Sequence, residues 1–558
     1  MLKLRNHRLF FRIVLFLLAA SFLVACAPTA SPAAAPAGSA ADSAGNGQVQ
    51  RLRVAIIGDE STLTPYTYVT GYPGWNLLTL QYDTLYQLDL NGVPKPWLAT
   101  DAALSEDGLT VTLTLRDDVT WHDGQPLTAE DIKFTFDYFK ANQQGRFTRD
   151  LRPVASTAVD DEGRVVVTLS APAPSLELGT LADVPILPKH IWEGVANPAE
   201  HTFEGVTNIG TGPYQLAEYQ PEQFYRFTAN PDYFAGAPAV AELVAIKFAD
   251  DAGALAALRG GEVDMIVRPV APEQIDLLSA LPGMKVAQGP LFTTQMLTYD
   301  MTKPPFNRLE VRQAMALAID RQDIIDTVYL GAGTVGSAGW IHPQSPVYND
   351  AVVTETDPER AAQLLEEAGI TDSDGDGIRE LEGAPLSFEF LVNGSDSLRL
   401  RIAELVSQML KEIGIEASVA AVEQATWEEA VWPGFDVANG RNYDMAMWGW
   451  SAPIQADATR IASLVHSDPA IGTSNLSGYQ STQADEIAAA ITTEMNPERS
   501  AELIRELQTI IAADLPFILL LYPDGAYAYN ASVYDGWAFM TGQGVFHKLS
   551  FLPEAARP

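Results

Sequence analysis

Trp121-His122-Asp123-Gly124-Gln125-Pro126-Leu127-Thr128-Ala129-Glu130-Asp131 is the stretch from which the fold can be read. Gly124 and Pro126 make a turn, and Thr128, three residues before Asp131, opens a helix through a capping box. Ile132, Phe136 and Phe139 then recur on one helical face. Just upstream, Leu109, Val111, Leu113 and Leu115 alternate with threonines, the period of a half-buried strand. Strand, turn and capped helix in succession indicate an α/β or α+β body.

The same alternation continues outward. Strand patterns recur at 165–169, at Leu386, Phe388, Phe390 and Val392, and in the apolar run 517–521. Asp357 caps and Pro358 opens a helix that buries Leu364 and Leu365 and stops at Gly369. Ile402, Leu405, Val406, Met409, Leu410 and Ile413 mark another, ended by Gly414. Ile487, Ile491 and Met495 predict one more, and Leu503, Leu507 and Ile510 the next. No internal repeat is visible. Gly210, Gly212 and Pro213 reverse the chain where Cβ atoms would clash.

At the N-terminus, Lys3, Arg5, Arg8 and Arg12 precede an apolar run from 13 to 20 that closes on small residues, the order of a secretory signal. Cys26, the single cysteine, follows Leu23-Val24-Ala25. That pattern resembles a lipoprotein processing site, with a signal peptide at 1–25 and acylation of Cys26; a single-pass anchor is the alternative. With Cys26 acylated, no thiol remains for disulfides or zinc. Residues 26–50 are rich in Ala, Pro, Ser and Gly and read as a flexible tether.

A formal net charge of -36 excludes nucleic acid as an expected partner, because clustered Lys and Arg are needed to neutralise phosphate. Catalytic signatures are absent: the seven histidines form no His-Glu-x-x-His, and there is no nucleophile elbow, phosphate loop or dinucleotide fingerprint. His122 beside Asp123 reads as a hydrogen-bonded structural pair rather than an acid/base couple. Asp372, Asp374 and Asp376 before Gly377 match the first half of a calcium loop, but Gly383 stands where the closing Glu would be, with Glu380 and Glu382 nearby. The alternative is an Asp/Gly-rich turn whose carboxylates accept turn amides.

The stretch at 121–131 resembles the signature of the family 5 solute-binding proteins of bacterial ABC importers, the oligopeptide, dipeptide and nickel binders. Thr62-Leu63-Thr64-Pro65-Tyr66, Tyr82-Asp83-Thr84-Leu85-Tyr86, Gly210-Thr211-Gly212-Pro213-Tyr214, Asn230-Pro231-Asp232-Tyr233-Phe234, Gly261-Glu262-Val263-Asp264, Pro305-Phe306-Asn307, Val311-Arg312-Gln313-Ala314 and Ala318-Ile319-Asp320-Arg321 follow in the family order. The resemblance implies a two-lobed type II, cluster C binding-protein fold with an extra domain inserted in lobe one. Lobe one is expected at 51–87, 205–295 and 512–558, the inserted domain at 88–204 and lobe two at 296–511. It further implies a monomeric, lipid-anchored extracytoplasmic receptor on the outer face of the membrane. Such a receptor holds solute between its lobes and hands it to permease subunits.

Peptide binders of this family place an Asp a few residues after a Gly-Trp pair to meet the peptide α-ammonium. Here Gly449-Trp450 is followed by Ser451-Ala452-Pro453-Ile454-Gln455-Ala456-Asp457, so either Asp457 takes the role or no ammonium is anchored. Trp427, Trp432, Tyr443, Trp448 and Trp450, with Tyr72 and Trp75, offer aromatic faces suited to peptide side chains or to sugar rings, or else serve as core. The expected ligand-binding set is Gly449, Trp450, Ser451, Asp457, Trp448, Trp75 and Tyr72. A peptide receptor leads, an oligosaccharide receptor is the alternative, and a sensor or a secreted hydrolase are the other classes.

Overall fold

The computed structural model describes residues 48–69, 73–200, 208–451 and 456–558. Cys26, the signal and most of the tether, Tyr72, Ala452, Pro453 and the boundary expected near 204 lie outside the described residues. No helix among the described residues is long and apolar enough to cross a membrane.

Thr110–Leu115 forms the expected strand and buries Val111 and Leu113. It joins Ala99–Leu104, Val165–Leu169 and Val154–Val159 in a four-stranded antiparallel sheet. The helix Ala129–Ala141 covers this sheet with Ile132, Phe136 and Phe139, all fully buried. Each such phenylalanine contributes about 1.5–3 kcal/mol by leaving water. At its start the Asp131 carboxylate accepts the Thr128 N–H at 2.9 Å and, through its other oxygen, the Lys189 N–H at 2.9 Å. The capping residue therefore also ties the helix to the segment that follows the sheet.

A second, 12-stranded sheet runs through the rest of the body. On one flank Val49–Ile57 lies parallel to Val240–Phe248 and Met265–Ile266, with Phe224–Ala229 and Tyr214–Gln220 outside. On the other, Ser387–Asn393 lies parallel to Glu416–Val422 and Met445–Trp448, and Gln295–Tyr299 is antiparallel to the last. The long strand Ile518–Asn530 joins the flanks. Its first residues pair with Gln295–Tyr299, and its later ones pair with Met284–Pro290. Two segments, 290–295 and 521–524, thus cross between the flanks side by side.

The helix Ser397–Glu412 is capped by Asp396, whose carboxylate accepts the Arg399 N–H at 3.0 Å, and it buries Ile402, Val406 and Leu410. Gly414 follows at φ 82°, a conformation that side chains with a Cβ disfavour. Two details differ from the pattern. Leu364 is only half-buried while Leu365 is fully buried. Met495 lies beyond the helix Thr482–Ile491, because Asn496 caps the next helix, accepting the Arg499 N–H at 2.9 Å, and Pro497 opens it. An N-cap needs extended backbone, so the first helix cannot run through Met495.

Candidate functional site

In open α/β sheets, ligands sit outside the carboxyl ends of parallel strands. Gly449 and Trp450 occupy that position after Met445–Trp448. A Cβ on Gly449 would lie 2.2 Å from the Thr294 carbonyl oxygen and 2.6 Å from Arg399 Nη2, so only glycine fits. The Trp450 N–H donates to Thr294 Oγ1 at 2.8 Å, and the Thr294 N–H donates to the Trp450 carbonyl at 3.1 Å. This two-way bracket fastens the Gly-Trp pair to the 290–295 crossover.

The tryptophan rings pack on one another. Trp427 stacks on Trp448 with centroids 4.4 Å apart, and Trp450 meets Trp432 and Trp448 edge-on at 5.3 and 5.7 Å. Trp448 and Trp450 are 5% and 7% exposed, so both rings are core to this cluster. Arg399 closes it from beneath, its guanidinium 5.6 Å from the Trp427 ring and its Nε donating to Gln295 Oε1 at 2.9 Å. Ser451, by contrast, is exposed. Phe435, also exposed, stands edge-on to Trp432 at 5.5 Å.

Asp457 is buried and committed locally. It caps the turn Ala458–Arg460, accepting the Thr459 N–H at 3.1 Å and the Thr459 hydroxyl at 2.6 Å on Oδ1, while Arg460 Nε lies 3.5 Å from Oδ2. With a guanidinium and a cap already on the carboxylate, a ligand ammonium would have to displace existing partners.

Trp75 belongs to a separate cluster with Tyr68 and Phe147, their centroids 5.7–6.3 Å apart. The Arg146 guanidinium lies 4.1 Å from the Trp75 ring and pairs with Asp183, Nε donating to Oδ2 at 2.6 Å. Burial pushes the Asp183 carboxyl up, but the Arg146 charge and hydrogen bonds outweigh it and hold the group below the usual carboxylate range. Its neighbour Asp150 is the converse: burial first, and then the Asp183 charge, push its carboxyl up to about 7. Ser175 Oγ lies 2.7 Å from Thr459 Oγ1, and Ser175 precedes the turn Leu176–Leu181 leading to Asp183.

Tyr68, Arg146, Asp183, Thr294, Arg399 and Ser175 were not singled out in the sequence. Arg146 and Asp183 are 37 residues apart and Ser175 and Thr459 are 284 apart, and no periodicity links them.

His122 and Asp123 do not form a pair. His122 Nε2 lies 2.9 Å from the Gly212 carbonyl, and its Nδ1 accepts the Gly210 N–H at 3.2 Å. Asp123 instead meets His190 Nε2 at 2.8 Å. Adjacent side chains diverge, so each finds its own partner.

Away from both clusters, Asp372, Asp374, Asp376 and Glu380 bring carboxylate oxygens within 4.8 Å of one another. Asp372 also accepts the N–H groups of Gly375 and Gly377 at 2.7 and 2.9 Å, and Glu380 accepts that of Ser373 at 2.8 Å. Glu380 thus stands nearest to the missing closing carboxylate.

Residues 93–471 match the model of the bacterial extracellular solute-binding proteins, family 5, middle. A putative ABC transporter peptide-binding protein of Brucella ovis is 33% identical over 339 residues, 60% of this chain and 62% of its own length. The chain therefore spans less than two thirds of that relative. The oligopeptide-binding protein AppA of Bacillus subtilis is 28% identical over 533 residues, 94% of each chain. The crystal structure of the ABC transporter substrate binding protein CtaP of Listeria monocytogenes is similar at a TM-score of 0.76 and 25% identity, covering 90% of this chain and 98% of that one.

Proposed function

The chain belongs to the family 5 bacterial extracellular solute-binding proteins, and from that premise we propose that it is a non-enzymatic receptor for a peptide or related small solute. It captures solute between the Trp75–Arg146 cluster and the Gly449–Trp450 bracket, and delivers it to ABC permease subunits. The lipid on Cys26 holds it at the outer face of the membrane as a monomer. The observation that supports the reading is the Ser175–Thr459 contact, which holds the segment leading to Asp183 within hydrogen-bond distance of the turn Ala458–Arg460. Trp450 and Trp448 serve by shaping the wall, Ser451 by facing the solute, and Trp75 by holding Arg146 in place, and Tyr72 is assigned to the same ligand-binding set.

An oligosaccharide is the second reading, favoured by one feature: the Asp457 carboxylate is already engaged, which leaves the usual ammonium anchor unfilled. Native mass spectrometry of gently purified protein separates the two. A ladder of peptide masses released on activation supports the first, and adducts spaced by hexose units support the second. Protein that never carries or takes up either class overturns the proposal.

The reading extends to a structural calcium ion on Asp372, Asp374, Asp376 and Glu380, an all-oxygen donor set of the kind calcium prefers. Calcium is expected to raise the melting temperature of the native chain and not that of an Asp374→Asn, Asp376→Asn variant. Equal melting with calcium and with a chelator would reduce the loop to a turn.

A further inference from the structure

Ser175 and Thr459 are 284 residues apart, yet their hydroxyl oxygens lie at 2.7 Å. The direction of that bond follows from chemistry. Thr459 Oγ1 is also 2.6 Å from Asp457 Oδ1, and an ionised carboxylate accepts only, so the Thr459 proton points at Asp457. Thr459 Oγ1 is left as an acceptor, and the proton between the two hydroxyls comes from Ser175. The result is a one-way chain, Ser175 to Thr459 to Asp457, its far end fixed by Arg460 at 3.5 Å.

Two further contacts lie between distant segments, the first of them joining the same parts of the molecule. A Cβ on Gly108 would lie 3.6 Å from Met495 Cγ and 4.0 Å from Pro172 Cβ, which brings the 105–110 hairpin and the 172–175 segment against the region after Thr482–Ile491. Arg401 Nη1 donates to Glu273 Oε1 at 2.8 Å between the two flanks of the large sheet. The two hydrogen-bonded contacts are part-buried and exposed, the kind that can open to water at little cost.

We infer that Asp457, Thr459 and Ser175 form a clasp that completes closure over the solute and slows its escape. Asp457 is a positioning residue: it turns the Thr459 acceptor toward Ser175 and does not touch the solute. The inference rests on the receptor reading above and assigns its Gly-Trp-proximal aspartate a different task. Solute enters with the clasp open, so the clasp acts on dissociation and leaves association unchanged.

Two experiments on the full chain test it, with a tryptic casein digest as the probe. In stopped-flow binding, Ser175→Ala and Thr459→Val are each expected to raise the dissociation rate about three- to tenfold with association unchanged. Thr459→Ser, which keeps the hydroxyl, is expected to restore the native rate. In a Ser175→Cys, Thr459→Cys double variant, whose only other cysteine is Cys26, the new disulfide is expected to form faster with probe present. If native protein takes up neither this probe nor a mixture of oligosaccharides, the receptor reading fails and the clasp with it. If native protein binds but the variants dissociate at the native rate, or the disulfide forms equally fast without probe, the contact is static packing and the clasp is wrong.

Discussion

Asp150 and Asp183 share a site beside Arg146 and Arg149, with Arg149 Nε 3.2 Å from Asp150 Oδ1. Only one full negative charge is comfortable there. Because burial and the Asp183 charge raise the Asp150 carboxyl to about 7, the folded protein keeps a proton that the unfolded chain, at the ordinary value of 3.8, has released. Stability from this group is therefore complete below the ordinary carboxylate range and is lost as pH rises from there through about 7. Asp150→Asn, which keeps a donor toward Asp183, is expected to be more stable than the native protein by on the order of 1–2 kcal/mol near pH 8. The gain should vanish near pH 4, as read by urea denaturation at each pH. A gain that does not depend on pH would show that Asp150 is ionised throughout. At the same scale, Arg146→Met leaves the half-buried Asp183 without its cation, and a loss of about 1.5–3 kcal/mol is expected from the same measurement.

Elements were legible where the signal was local. Thr128 and Asp131 announced the helix Ala129–Ala141, and its apolar face is the one buried. Phe136→Ala is expected to cost about 3–5 kcal/mol, since the ring is fully enclosed between this helix and the four-stranded sheet. Met495 was misplaced because a three-and-four spacing persists in the sequence after the backbone has turned, and the stop signal, Asn496-Pro497, belongs to the next helix. The Gly-Trp pair was legible as a motif, but its reason was not: Gly449 is required by the Thr294 carbonyl, 155 positions away in the chain. Gly449→Ala is expected to cost about 1–3 kcal/mol of stability, because the obstacle is backbone and cannot swing aside. A melting temperature unchanged from the native protein would contradict the bracket.

At the scale of the molecule, two side-by-side crossovers, 290–295 and 521–524, run between the flanks of the large sheet, and the Ser175–Thr459 contact lies apart from them. The net charge of -36 adds solubility and no specificity. Family membership could be read from ordered framework motifs, because turns and caps repeat across a scaffold whatever it binds. The site could not, because Tyr68, Arg146 and Asp183 meet Trp75 only after the chain has folded. The central claim is reversible capture without chemistry. The most direct test is to titrate the protein with a fractionated peptide mixture, follow its tryptophan fluorescence, and recover the bound solute for mass analysis. The account predicts a saturable change and a solute returned with its mass intact. A solute returned cleaved, or a titration with no saturable change for peptides or oligosaccharides, would contradict it.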